Sequence, residues 1–254
     1  MIETSEEKKL LSLGFLGVGW IGRNRMEVIL NNSNAQAVAI AEPSKETALK
    51  AKKSAPDAEI TDNADVIFQN EKIDGIVIAT PSAMHAQQSI EALKAGKSVF
   101  CQKPLGRTAA EVQDVISAAK ASDKLLMVDF SYRYTKAFSA IYNLIQSGEI
   151  GDIYAVDLTF HNAYGPDKEW FFDIEKSGGG CVMDLGVHLV DLALWTLNFP
   201  EIKSVDSRLF HKGKKIESAE KQVEDFAHVN MISEDDISIN LQCSWHVSAG
   251  KDAV

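Results

Sequence analysis

A chain of 254 residues with 45% apolar and 24% charged side chains carries enough apolar material for one large or two modest cores. Its 26 basic and 36 acidic residues leave a net charge of −10, and no basic stripe relieves it, which argues against nucleic acid as the main partner. No run reaches the roughly 18–20 apolar residues of a membrane helix.

The three cysteines, Cys101, Cys181 and Cys243, are far apart and outside any CxxC pair. That spacing points away from a disulfide framework or a zinc site and toward a reducing cytoplasm. Lys8 and Lys9 before the apolar run Leu10 to Ile21 imitate a signal peptide. Glu3, Glu6 and Glu7 precede them, however, no small-residue cleavage site follows, and the run contains a glycine fingerprint.

Strand-like and helical segments alternate up to about residue 130. Strands are expected at Leu11–Leu16, Ala37–Ala41, Ile73–Ala79, Ser98–Cys101 and Leu125–Val128. Helices are expected at Ile21–Leu30, Lys45–Lys53, Ala83–Ala95 and Ala109–Ala121. Short continuous Val/Ile/Leu strands between helices imply a parallel sheet covered on both faces, doubly wound by right-handed crossovers. The later residues read differently. A helix at Ala137–Gln146 precedes a strand at Ile153–Asn162 and an apolar helix at Cys181–Leu197. Three strands then follow in succession, Ile202–His211, Phe226–Ile232 and Ile237–Val247, which suggests an antiparallel sheet. The fold class expected is α/β: a Rossmann domain over residues 1–128, then an α+β domain over residues 129–254 with a large, mostly antiparallel sheet. Because the chain stops soon after a strand, a C-terminal portion is expected to be missing.

The segment Gly17-Val18-Gly19-Trp20-Ile21-Gly22 is GxGxxG between a strand and a helix. Gly17 permits the tight turn, Gly19 lets a pyrophosphate approach the backbone, and Gly22 lets helix and strand pack closely. Glu42 stands 20 residues after Gly22 at a strand end, where a carboxylate accepts from ribose hydroxyls and repels a 2′-phosphate. The expected cofactor is therefore NAD rather than NADP, although Ser44 and Lys45 soften that preference. Arg23 reads as a solvent-facing helix residue or a phosphate contact.

Lys103, in Cys101-Gln102-Lys103-Pro104, follows a sheet strand, where ligands bind in this architecture. Most lysines are solvated surface groups, so position alone does not single it out. Asp184 and His188 sit four residues apart and interrupt an otherwise apolar helix. Burying them has a cost unless they pair or serve a ligand. A buried Asp–His pair, a catalytic pair and a metal chelate all satisfy that spacing. With no further ligand at helical spacing, no metal is assigned.

In order along the chain, GxGxxG, Ala79-Thr80-Pro81 with His85, Lys103-Pro104, and Gly180 to His188 resemble the glucose–fructose oxidoreductase and inositol dehydrogenase family (Gfo/Idh/MocA). Glu224-Asp225 before a strand also fits. The resemblance implies hydride transfer between nicotinamide and a secondary alcohol of a sugar, inositol or related polyol. It implies Lys103, Asp184 and His188 as the catalytic group, and contacts to cofactor from the glycine loop, Glu42, Thr80, Pro81, His85 and Lys103. It also implies a homodimer or homotetramer assembled through the C-terminal sheet. Gln102 departs from the pattern, standing where the family usually has glutamate. Further pocket candidates are Tyr132, Arg133, His161, Tyr164 and Trp170, while Cys181 reads as a packing residue. Competing expectations are a glycosidase using bound NAD transiently, a non-catalytic NAD-sensing protein, and metal-dependent hydrolysis at Asp184 and His188.

Overall fold

The computed structural model describes residues 10–218 and 222–247. The chain divides into two compact units, Met1–Asp129 and Phe130–Val254.

The first unit is a six-stranded, wholly parallel sheet. Its strands are β1 (Leu11–Leu16), β2 (Ala35–Ala41), β3 (Glu59–Thr61), β4 (Gly75–Ile78), β5 (Ser98–Cys101) and β6 (Leu126–Val128), in the spatial order β3-β2-β1-β4-β5-β6. The helices are α1 (Trp20–Asn32), α2 (Lys45–Lys52), α3 (Ala64–Phe68), α4 (Ser82–Lys94) and α5 (Ala109–Ser122). Strand residues alternate between two cores. Leu16, Ile76, Ile78 and Val99 pack into one, and Phe15, Ile40 and Val77 into the other, so both faces are covered. The order of connection reverses between β1 and β4, which places a topological switch point beside the glycine loop. Main-chain bonds carry the ladder one residue past each strand: Gly17 N–H to Ala41 O, Ala79 N–H to Leu16 O, and Gln102 N–H to Ile78 O. The loops that follow are thereby held side by side.

β3 and α3 were not expected. Three strand residues and five helical ones are too short to show a period, and α3 is recognisable only by its cap, Asn63 Oδ1 accepting from Asp65 N–H at 2.9 Å.

The second unit begins with α6 (Lys136–Ser147), opened by Thr135 and closed by Gly148 at φ 72°. β7 (Ala155–His161) and a short α7 (Ile174–Ser177) lead to α8 (Val187–Thr196), and β8 (Ile202–His211), β9 (Lys214–Lys215), β10 (Phe226–Ser233) and β11 (Ser238–Ser244) follow. The sheet order is β7-β11-β10-β8-β9. It is mixed: three pairs are antiparallel, but β7 joins β11 in parallel. That pairing needs a long crossover, which α8 and the intervening strands provide. The sheet is thus mostly antiparallel, as expected, whereas the apolar helix expected from Cys181 needs correction. A π-turn at Val182–Gly186 precedes α8, so the segment is not one regular helix. Such turns are frequent at functional positions.

Candidate active site

In the first unit the three fingerprint glycines have different physical reasons. Gly17 has φ +76°, and a Cβ there would lie 2.7 Å from Ala79 O. A Cβ on Gly22 would lie 2.2 Å from Gly17 O. Both are imposed by the fold itself. A Cβ on Gly19 would meet nothing within 4 Å, so no neighbour in the structure requires glycine there. Open backbone at this point leaves room for a ligand to approach. The helix ends agree with this reading. Side chains of Ser44, Asn63 and Thr108 cap α2, α3 and α5, whereas no side chain caps α1 or α4, which start at the ends of the central strands β1 and β4. Uncapped first-turn N–H groups and the helix dipole suit an anion.

Glu42 lies over this loop. Its Oε2 accepts from Val18 N–H and its Oε1 from Ser44 N–H, both at 3.0 Å. Ser44 is spent on capping α2, with its hydroxyl taking Thr47 N–H at 3.3 Å, and Lys45 opens that helix. Trp20, the first residue of α1, is 79% exposed. Pro81 is the N-cap of α4, and Thr80 donates its hydroxyl to Gln88 Oε1 at 2.6 Å.

His85 is buried, with one ring nitrogen 2.6 Å from Pro104 O and the other 2.7 Å from Thr80 O. It staples the loop after β4 to the loop after β5. Burial pushes its pKa down despite those two carbonyls. This is a position inside the framework of the first unit. Lys103 follows β5, next to Gln102, whose amide donates to the buried carboxylate of Asp129.

In the second unit the structure pairs Asp184 with Trp245 and His188 with Tyr132. Asp184 is in the π-turn, and its Oδ2 accepts the indole N–H of Trp245 at 3.0 Å. His188, in the first turn of α8, is 7% exposed and packs edge-on against Tyr132, with ring centroids 4.7 Å apart. The turn that presents them is held from β10's side. Glu224 Oε1 accepts from Gly180 N–H and Val182 N–H, each at 2.9 Å, and Cys181 N–H donates to Glu224 O at 2.9 Å. Gly180 is obligatory, because a Cβ would lie 1.8 Å from Glu224 O. Burial raises the Glu224 pKa. Cys181 is fully buried against Cys243, with sulfurs 3.7 Å apart.

Other expected pocket residues do not join this group. His161 sits on the opposite sheet face. Its neighbour Phe160 enters the core with Leu185 and Leu189, and period-two alternation turns His161 outward, 3.0 Å from Gln242 Oε1. Arg133 forms a bidentate ion pair with Asp191 and stacks over Phe130, Trp195 and Phe199, so its fork is engaged within its own unit. Trp170 stacks on Phe171 with centroids 3.9 Å apart, and Tyr164 is 76% exposed. Sequence reasoning missed Trp245 and the positioning part of Glu224. The signal for Trp245 was its place at a strand end, too general to single it out. Among the described residues no group of three or more His, Cys, Asp or Glu could hold a metal, and no helix is long and apolar enough to cross a membrane.

A parallel doubly wound sheet with this glycine loop defines a Rossmann dinucleotide-binding fold. Residues 11–130 match the oxidoreductase family with the NAD-binding Rossmann fold, and residues 138–254 match the GFO/IDH/MocA C-terminal domain. The chain belongs to the Gfo/Idh/MocA family. It is 30% identical over 184 residues to inositol 2-dehydrogenase of Rhizobium meliloti, covering 72% of this chain and 54% of that one. It is 29% identical over 156 residues to D-glucoside 3-dehydrogenase of Escherichia coli, covering 61% and 44%. The chain thus spans about half the length of these relatives. Levoglucosan dehydrogenase, solved with NADH and levoglucosan, superposes with a TM-score of 0.85 at 24% identity over 95% of this chain and 69% of that one, a likeness of fold.

Proposed function

We propose that the protein oxidises a secondary alcohol of a sugar, inositol or related polyol with NAD. The observation that carries this reading is Gly19. Gly17 and Gly22 are needed to build the loop, whereas Gly19 has open space above it and is explained by a pyrophosphate lying against the backbone. The named relatives supply the substrate class, since they act on inositol and glucosides. Glu42 selects the unphosphorylated ribose.

When bound, NAD supplies the hydride acceptor. The protein's own groups manage the proton. His188 takes the hydroxyl proton as general base, Asp184 orients the imidazole and steadies its charged form, and Lys103 stabilises developing charge on the alcohol oxygen. Tyr132 limits the rotation of His188 by edge contact. The family resemblance supports a homodimer or homotetramer assembled through the second sheet, and three free cysteines support a reducing cytoplasm.

The test is to incubate the full chain with NAD and a panel of free sugars and inositols and to follow NADH fluorescence. Turnover is expected on at least one polyol, and His188→Ala should lose roughly 10²–10⁴-fold in rate with NADH binding intact. Sugar release from glycosides without net NADH, or hydrolysis abolished by a chelator, would replace this reading.

A further inference from the structure

Gln102 immediately precedes Lys103 and is 7% exposed. Its amide nitrogen donates to Asp129 Oδ2. The same oxygen accepts from Arg25 Nε at 2.5 Å. Asp129 is 6% exposed, and its backbone N–H donates to Cys101 O at 2.8 Å, which fixes it at the end of β6 beside the end of β5. Arg25 lies within α1, the helix opened by the glycine loop.

A carboxylate this deep needs donors, and it receives a guanidinium from one element and an amide from another. The side chain at 102 must therefore donate. An amide does so and a carboxylate does not. Glutamate at 102 would set two acceptors against each other, and one of them would have to bind a proton.

We propose that Asp129 supplies, from the neighbouring strand, the carboxylate that position 102 lacks. Gln102, Asp129 and Arg25 act as positioning residues that tie the Lys103 loop to the cofactor-bearing helix. The inference rests on the reading of Lys103 given above. The charge has moved one strand over, and the departure at 102 and the presence of Asp129 are one feature. Its consequence runs against intuition, since restoring the family's usual glutamate alone harms the protein.

The test uses the full chain with Gln102→Glu, with Asp129→Asn, and with both. Two readings are taken: the melting temperature, and the NMR resonance of reductively ¹³C-methylated Lys103, assigned by its loss in Lys103→Arg. Each single change should lower the melting temperature by roughly 3–6 °C and displace the Lys103 resonance. The double change rebuilds the pair with roles exchanged, an amide at position 129 donating to a carboxylate at position 102, and should recover at least half of both effects. The proposal is overturned if Gln102→Glu melts like the unsubstituted chain, if the double variant recovers less than half, or if the Lys103 resonance stays still while melting temperatures fall. An NADH titration of the unsubstituted chain reads the oxidoreductase proposal separately. Absent binding would overturn that proposal, while the melting pattern still decides this one.

Discussion

Trp245 donates its indole N–H to the carboxylate of Asp184 at 3.0 Å. Trp245 is fully buried at the end of β11, where Phe171 and Phe172 meet it edge-on. Asp184 is therefore aimed by a rigid aromatic whose own position is fixed by the core. Trp245→Phe keeps most of the ring volume and removes the donor. With a polyol found in the substrate screen, the rate should fall roughly tenfold, the loss expected for one hydrogen bond to a charged group. NADH affinity should not change. An unaltered rate would mean that the Trp245 bond to Asp184 does not serve the reaction.

The glycines separate folding from binding. Gly17→Ala and Gly22→Ala force contacts of 2.7 and 2.2 Å with backbone oxygen and should lower the melting temperature of the chain. Gly19→Ala meets no neighbour and should melt like the unsubstituted protein while binding NADH at least roughly tenfold more weakly, the result of a methyl group wedged against the pyrophosphate. Equal NADH affinity in Gly19→Ala would mean that no ligand approaches that backbone.

Glu224 gives a pH dependence of stability. Burial raises its pKa in the folded protein, so the fold binds its proton more tightly than the unfolded chain does. Its contribution is complete below the ordinary glutamate range and is lost as pH rises from that range through the folded value. Glu224→Gln keeps an oxygen for Gly180 and Val182 N–H and does not titrate. The melting temperature of the Gln variant, taken relative to the unsubstituted chain, should therefore rise as pH is raised from the glutamate range toward neutrality. A relative melting temperature that falls over this interval would reverse the sign. Glu224→Ala leaves the Gly180 and Val182 N–H groups without that acceptor and should cost about 1–3 kcal/mol at the low end of this pH interval, and less as pH rises.

Much of this was legible in the sequence, and the exceptions have identifiable causes. The parallel sheet could be read because buried strands such as Gly75–Ile78 are continuous apolar runs, and the glycine loop because backbone geometry itself demands Gly17 and Gly22. Asp184 and His188 were visible as polar residues in an apolar helix. What was hidden depends on contacts between residues distant in sequence. The Trp245 bond to Asp184 spans 61 positions, and the Gln102 bond to Asp129 spans 27. The outward turn of His161 follows from strand register, which one residue reverses and which apolar pattern alone left open. The parallel seam of β7 with β11 is likewise a property of the assembled sheet.

The cysteines should be inert. Burial raises the Cys101 thiol pKa to about 12, and contact with Cys243 together with burial raises that of Cys181. Thiolates are the reactive form. Ellman's reagent should label none of the three in the native protein at neutral pH and all three in denaturant. Rapid native labelling of Cys181 or Cys243 would show that the segment carrying Asp184 opens to solvent.

The glycine loop and Glu42 are proposed to form an NAD-selective cradle. Fluorescence titration of the full chain with NADH and, separately, NADPH tests it most directly. Micromolar NADH binding with clearly weaker NADPH, the gap closing in Glu42→Ala, is the predicted result. Tighter NADPH binding would contradict the part given to Glu42 and move selection to Ser44 and Lys45, and binding of neither nucleotide would contradict the oxidoreductase reading as a whole.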